Sequence, residues 1–343
     1  MSEQRAEQRP ALGMLRVAPT FHQRIWGADR LWEFHGATPP ARPADGHVPI
    51  GESWLLDPAS TVASGPHAGE RFSDLAARFG ADLVGTVSAA RYGARLPLLA
   101  KFLDTSQALS IQVHPNDAQA LAFEPTSGHL GKAEAWYLLE VDQGASLVWG
   151  FARGVSADEV RRGAEDGSLL GMLNHVTVSA GDIVVNPAGL VHAVGAGMLL
   201  FEIQQASDIT YRLYDFGRAG PDGKPRELHL DKALAVSSFS PSGTPPPAPA
   251  RVPGQWVDLV EMEQFSLQRL ELLPGAVYRQ ATSELSMELL VVSAGSATVS
   301  AGDQVEHLNR GDALLLPATL GTYELRGSGE TLRCAVVRPR TAP

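Results

Sequence analysis

The run SIQVHPND at Ser110–Asp117 sets Gln112 and His114 two residues apart. Side chains alternate faces along a strand, so an i, i+2 pair in an extended segment points one way. Pro115 cannot donate to a ladder and ends regular pairing just after the histidine. Glu134 follows in GKAEAWYLLE and His192 in NPAGLVHAVG. Two imidazoles, a carboxylate and an amide oxygen form a donor set for one zinc ion or another divalent first-row metal. Such a set leaves a position open for water or substrate, as catalysis at a metal requires. Gln112 offers the weakest donor atom of the four, and its alternative role is to hydrogen-bond a ligand from behind. The other histidines, His22, His35, His47, His67, His129, His175, His229 and His307, lack this context and read as surface or hydrogen-bonded residues.

The elements that must hold these residues read as short strands. Segments such as SLVWG, NHVTV, DIVVNPAG, MLLFEIQ, ELLVVSAG, ATVSAG and DALLLPA are apolar or alternating, and Gly, Pro and Asp divide them. That rhythm predicts a mainly β fold of barrel or sandwich type. Helical signals are few: a capping box at Ser156 and Glu159 ahead of Val160–Asp166, a short helix over Phe72–Phe79, and a cap at Asn116 for a helix to Ala122. GDIVVNPAGLVHAV at 181–194 aligns without a gap on GDALLLPATLGTYE at 311–324, which indicates two copies of one barrel. His192 falls opposite Thr322, so the second copy lacks the metal-binding histidine and reads as structural or interfacial.

SPSGTPPPAPARVPG over 240–254 is proline-rich and unable to build a core, so it reads as a linker. The expected order is a disordered N-terminus over 1–11, a catalytic metal-binding unit over 12–239, the linker, and a degenerate C-terminal unit over 255–343. The formal net charge of −10 argues against a nucleic-acid partner, which would want a clustered basic surface. Cys334 is the single cysteine and suits a reducing compartment. The polar N-terminus does not read as a signal peptide, and no apolar run is long enough to span a membrane. These features lead to the expectation of a cytoplasmic protein without membrane partners, monomeric or homodimeric.

Taken in order, PTFHQRIWGADRL, GESWLL, PLLAKFLDTSQALSIQVHPND, GKAEAWYLLE and NPAGLVHAVGAGMLLFEIQQASDITYRLYDFGR resemble the type I mannose-6-phosphate isomerases, the short bacterial form in particular. The resemblance runs over residues 15 to 230, and it is the ordered set of motifs that carries it. Ala135 departs from the family, which usually has a bulkier methionine there; a packing effect is expected, with no ligand lost.

The resemblance implies two cupin-type jelly-roll β-barrels with a few short helices, and a zinc site of Gln112, His114, Glu134 and His192. It implies interconversion of mannose 6-phosphate and fructose 6-phosphate, by moving a proton between C1 and C2 through a cis-enediol. Glu202 matches the family's proton-transfer base, on a strand where Leu200, Glu202 and Gln204 share one face; the bland alternative is a glutamate satisfied by an arginine. Arg212 matches an active-site arginine, whose fork suits either phosphate or a polarised sugar oxygen. Lys132 resembles a catalytic lysine near the metal, while Lys101, Ser110 and Glu52 match substrate-side positions. An interior lysine in PLLAKFL is costly unless paired, and Glu52 could instead pair with a lysine. Trp26, Trp54, Trp136 and Tyr137 read as barrel core rather than sugar-stacking rings. No glycine-rich cradle is present, so side chains must hold the phosphate. Two other readings fit a cupin barrel: a metal dioxygenase, and a non-catalytic sugar-binding protein.

Overall fold

The computed structural model describes residues 12–36, 49–220 and 223–337. The expected disordered stretch 1–11 and His47 lie outside the described residues. Among the described residues, twenty strands and seven mostly short α-helices make the fold mainly β, as the rhythm of short apolar segments predicts.

The N-terminal unit is two antiparallel sheets facing each other. One has the order Ile183–Asn186, Glu134–Val141, Met198–Gln205, Leu98–Thr105, Ile50–Leu56, Thr20–Gln23. The other has the order Tyr211–Tyr214, Ile111–Val113, His192–Ala193, Ser146–Phe151, Leu173–Thr177. The expected barrel is therefore an open jelly-roll sandwich rather than a closed cylinder. Proline explains one of the breaks. Pro187 ends the strand Ile183–Asn186, and Leu190 N donates to Pro187 O at 3.1 Å in a tight turn that delivers His192 to the opposite sheet.

The C-terminal sheet is built on Glu288–Ala301 and Thr322–Ala335, two long strands paired with each other. Their first and last halves take different outer partners, so one sheet wraps around its own core. Leu290, Val292, Ala297, Val299, Leu314, Leu316, Tyr323 and Leu325 fill that core. The alternate residues Leu289, Val291, Ala313 and Leu315 face outward. They pack on the back of the six-stranded sheet, against the cluster containing Phe102, Phe201, Ile203 and Tyr137. Strand Leu98–Thr105 is consequently buried on both faces, as its near-continuous apolar sequence requires. Leu15–Ala18 joins the C-terminal sheet, with Leu15 opposite Leu315 and Arg16 opposite Leu314.

The internal repeat is reproduced bond for bond. Gly181 N donates to Leu138 O at 2.7 Å, and Gly311 N to Val292 O at 2.8 Å. Leu138 N returns to Asp182 O at 3.0 Å, and Val292 N to Asp312 O at 3.0 Å. Both turns need a left-handed residue, and glycine supplies it with φ of 93° and 90°. Strand register completes the match: Asn186 lies opposite Glu134 in the first copy, and Leu316 opposite Glu288 in the second.

The three helices expected from local signals form as Phe72–Phe79, Asp117–Phe123 and Ala157–Asp166, the last two with complete capping boxes. The proline-rich stretch 240–254 runs without helix and is tied to both units. Asn174 Nδ2 donates to Gly243 O at 2.7 Å, and Arg251 pairs with Glu330 at 2.6 Å.

Candidate metal centre and active site

Alternation places the chemistry between the two sheets of the N-terminal unit. On Met198–Gln205, the residues Leu199, Phe201 and Ile203 enter the core behind the sheet, while Met198 and Leu200 enter the inner cluster with Trp136 and Leu138. Glu202 and Gln204 continue that inner face. Register then aligns Glu202 with Lys101 on one side and Trp136 on the other, and Gln204 with Glu134. Across the chamber, Gln112 lies between Arg212 and His192 in one row of the five-stranded sheet.

His114, Glu134 and His192 converge, each with a donor atom within 4.8 Å of the others'. All three are buried. His114 Nδ1 is 2.9 Å from Ile209 O and His192 Nδ1 is 2.8 Å from Leu190 O. Each Nδ1–H thus donates to a carbonyl, which turns the Nε2 lone pair inward in the way that metal-ligating histidines use. His192 Nε2 and Glu134 Oε1 are buried, 3.2 Å apart, and without hydrogen-bond partners. Buried polar atoms seldom lack partners, so this orphaned pair fits a cation. The chain thus carries a candidate metal site of two imidazoles and one carboxylate.

Lys132 stands at its edge, with Nζ 2.5 Å from Glu134 Oε2 and 3.0 Å from His114 Nε2. Burial would raise the Glu134 pKa, but the Lys132 ammonium holds it well below the usual carboxylate range. Burial, reinforced by Lys132, lowers His114 to about 3, so the ring is neutral and free to ligate.

A second cluster surrounds Glu202. Its Oε2 accepts from Trp136 Nε1 at 3.0 Å, and its Oε1 has no hydrogen-bond partner although Lys101 Nζ is 3.3 Å away. Burial and the charge of Glu134 raise the Glu202 pKa, against the pull of Lys101. Lys101 also donates to Glu52 Oε1 at 3.0 Å, and Glu52 Oε2 accepts from Trp54 Nε1 at 3.1 Å and pairs with Arg24. Burial opposes ionisation of Glu52, yet Lys101 and Arg24 bring it down to about 2. The interior lysine is therefore paired, as its cost demands. At the other sheet, Arg212 Nε donates to Ser110 Oγ at 3.2 Å and Nη1 to Glu227 O at 2.9 Å.

All ten sequence-derived candidates thus lie in or beside one chamber. Gln112 stands in register with His192, and no hydrogen bond defines its side chain's part. Trp136 is core as expected, and it also holds Glu202. Asn186, next to Glu134 across the strands, was not anticipated. Its signal was an inward polar position in an otherwise apolar strand, just before a proline.

Residues 14–135 fit the model for the phosphomannose isomerase type I catalytic domain, and residues 256–336 fit that for the mannose-6-phosphate isomerase cupin domain. The mannose-6-phosphate isomerase ManA of Bacillus subtilis is 35% identical over 326 residues, spanning 92% of this chain and 96% of that protein. The chain belongs to the type I phosphomannose isomerase family. The mannose-6-phosphate isomerase of Streptococcus mutans is 32% identical over 91% of this chain and 94% of its own length. A crystal structure of the Bacillus subtilis mannose 6-phosphate isomerase superposes with a TM-score of 0.79 at 28% identity, covering 94% of this chain and 99% of that one. No helix among the described residues is long and apolar enough to cross a membrane.

Proposed function

We propose that this family member interconverts mannose 6-phosphate and fructose 6-phosphate at a single Zn2+ held by Gln112, His114, Glu134 and His192. The observation that carries the reading is Glu202 Oε1, a buried carboxylate oxygen without a hydrogen-bond partner, on the same strand face as the metal-donor cluster. The bound cation would supply Lewis acidity for the charge that develops on the sugar oxygens. Glu202 takes the proton from C2 of the aldose and returns it at C1, while a second proton passes from O2 to O1. Trp136 and Lys101 hold Glu202 in place. Lys132 adds positive charge beside the reacting oxygens, and Arg212 grips either the phosphate or those oxygens. Ser110, Lys101 and Glu52 line the substrate side.

The organisation proposed with this function is a catalytic unit over 12–239 that lends Leu15–Ala18 to the sheet of the second unit, a linker over 240–254, and a metal-free unit over 255–343. The protein would act in the cytoplasm as a monomer or homodimer, with no nucleic-acid partner. Family membership favours neither the dioxygenase nor the non-catalytic reading.

The test is isomerisation of mannose 6-phosphate before chelation, after it, and after zinc is restored. Activity should vanish and return, and His192→Ala should neither retain zinc through dialysis nor turn over. Full activity in the chelated protein, or full zinc content in the variant, would refute the reading.

A further inference from the structure

Asn186 is a buried side chain whose Oδ1 and Nδ2 both lack hydrogen-bond partners within the protein. Desolvating an amide without replacing its hydrogen bonds is unfavourable, and nothing about strand formation requires asparagine here. Its strand pairs with Glu134–Val141, with Val184 opposite Trp136 and Asn186 opposite Glu134. Val184 and Trp136 lie in the same inner cluster, so alternation turns Asn186 to the same inner face as Glu134. Directly opposed residues have Cβ atoms about 4.5–5.5 Å apart, which is within reach of two short polar side chains. Glu134 Oε1 is itself without a hydrogen-bond partner. An unused donor and an unused acceptor thus stand side by side, and the broad terminal torsion of asparagine lets the amide turn without strain.

The repeat supplies an internal comparison. The position equivalent to Asn186 in the second copy is Leu316, opposite Glu288. That copy has Thr322 where the first has His192; its Glu288 Oε2 is met by Tyr323 at 2.8 Å and Arg333 at 3.6 Å, while Glu288 Oε1 also lacks a hydrogen-bond partner. The amide is found only in the copy that carries the imidazole donors.

We infer that Asn186 is a positioning residue of the metal centre, donating from Nδ2 to the Glu134 carboxylate and so orienting it toward the cation. The inference rests on the metal reading proposed above. Groups that orient a ligand in this way typically contribute 10–100-fold to metal affinity.

The experiment measures Zn2+ affinity by competition with a chelating dye for the full chain, Asn186→Leu and Asn186→Ala. Leucine installs the second copy's residue and alanine leaves space, so their packing errors are opposite. Both should bind zinc about 10–100-fold more weakly, with KM for mannose 6-phosphate at saturating zinc unchanged. The melting temperature of zinc-stripped Asn186→Leu should stay equal or rise, because an unsatisfied amide has been removed. Unchanged zinc affinity in both variants would overturn the inference. So would a raised KM with unchanged affinity, which would assign the amide to the sugar. Absence of zinc binding by the unaltered chain would remove the metal reading itself, and this inference with it.

Discussion

Glu202 is pulled two ways: burial and Glu134 favour its protonated form, and Lys101 favours its ionised form. As the proposed base, Glu202 must be ionised to accept a proton, so turnover falls as pH drops through its pKa. Because that pKa is raised, the acid limb of kcat should lie above the ordinary 4.5 of a free carboxyl. Glu202→Gln should lower kcat about 10²–10⁴-fold, abolish exchange of the C2 proton with solvent, and leave zinc content intact. Persisting exchange would remove Glu202 from the role. Arg212→Lys separates that residue's two candidate tasks, since it keeps the charge and loses the fork. Lost preference for mannose 6-phosphate over mannose would mark a phosphate grip; an equal fall in kcat on both sugars would mark contact with the reacting oxygens. At this scale much was readable beforehand. The i, i+2 spacing of Gln112 and His114 and the shared face of Glu202 and Gln204 are local properties of a strand. The row Arg212, Gln112, His192 was not readable, because it depends on which distant strands pair. Asn186 was missed for the same reason, its meaning arising only from the register with Glu134.

Elements with their own local chemistry formed where the sequence predicted them. Ser156 Oγ accepts from Glu159 N at 3.3 Å, and Glu159 Oε2 accepts from Ser156 N at 2.9 Å. Ser156→Ala should therefore cost about 1 kcal/mol in denaturant unfolding, while zinc affinity and kcat stay as they were. A comparable loss of activity would tie that helix to the site. The helices Ala81–Val84 and Thr86–Tyr92 gave no such signal. Their caps, Gly80 and Gly85, have no side-chain bond to offer. They are held by docking instead: Thr86 N donates to Glu284 O at 2.8 Å, and Ala318 N to Leu83 O at 3.0 Å. Helix formation that depends on partners some two hundred residues away leaves no trace in a local pattern.

Across the whole molecule, the back of the catalytic sheet is the joint between the two units. Phe102 and Phe201 meet edge-on at 5.5 Å in the cluster they share with Leu289, Val291 and Leu315. The repeat announced two similar barrels, but not that Leu15–Ala18 would complete the sheet of the second. A chain lacking residues 1–18 should leave the strand Ala313–Leu316 with an unpaired apolar edge, which invites association. We expect a lower melting temperature and concentration-dependent aggregation, by light scattering, compared with a chain lacking only 1–11. Equal behaviour of the two truncations would show that this pairing contributes little.

That same pairing bears on how the protein is made. Leu15 leaves the ribosome roughly 300 residues before its partner Leu315 exists, a wait of about 15–60 s at ordinary rates of synthesis. Throughout it Leu15 and Arg16 lack their strand partner, while Val17 and Ala18 can already pair with Val62 and Thr61. The catalytic sandwich can assemble in the meantime, but its supporting back face is bare until the last strands emerge. Nascent chains stalled before residue 313 should therefore be open to protease and to chaperones at Leu15 and Arg16, and chains released at full length should not.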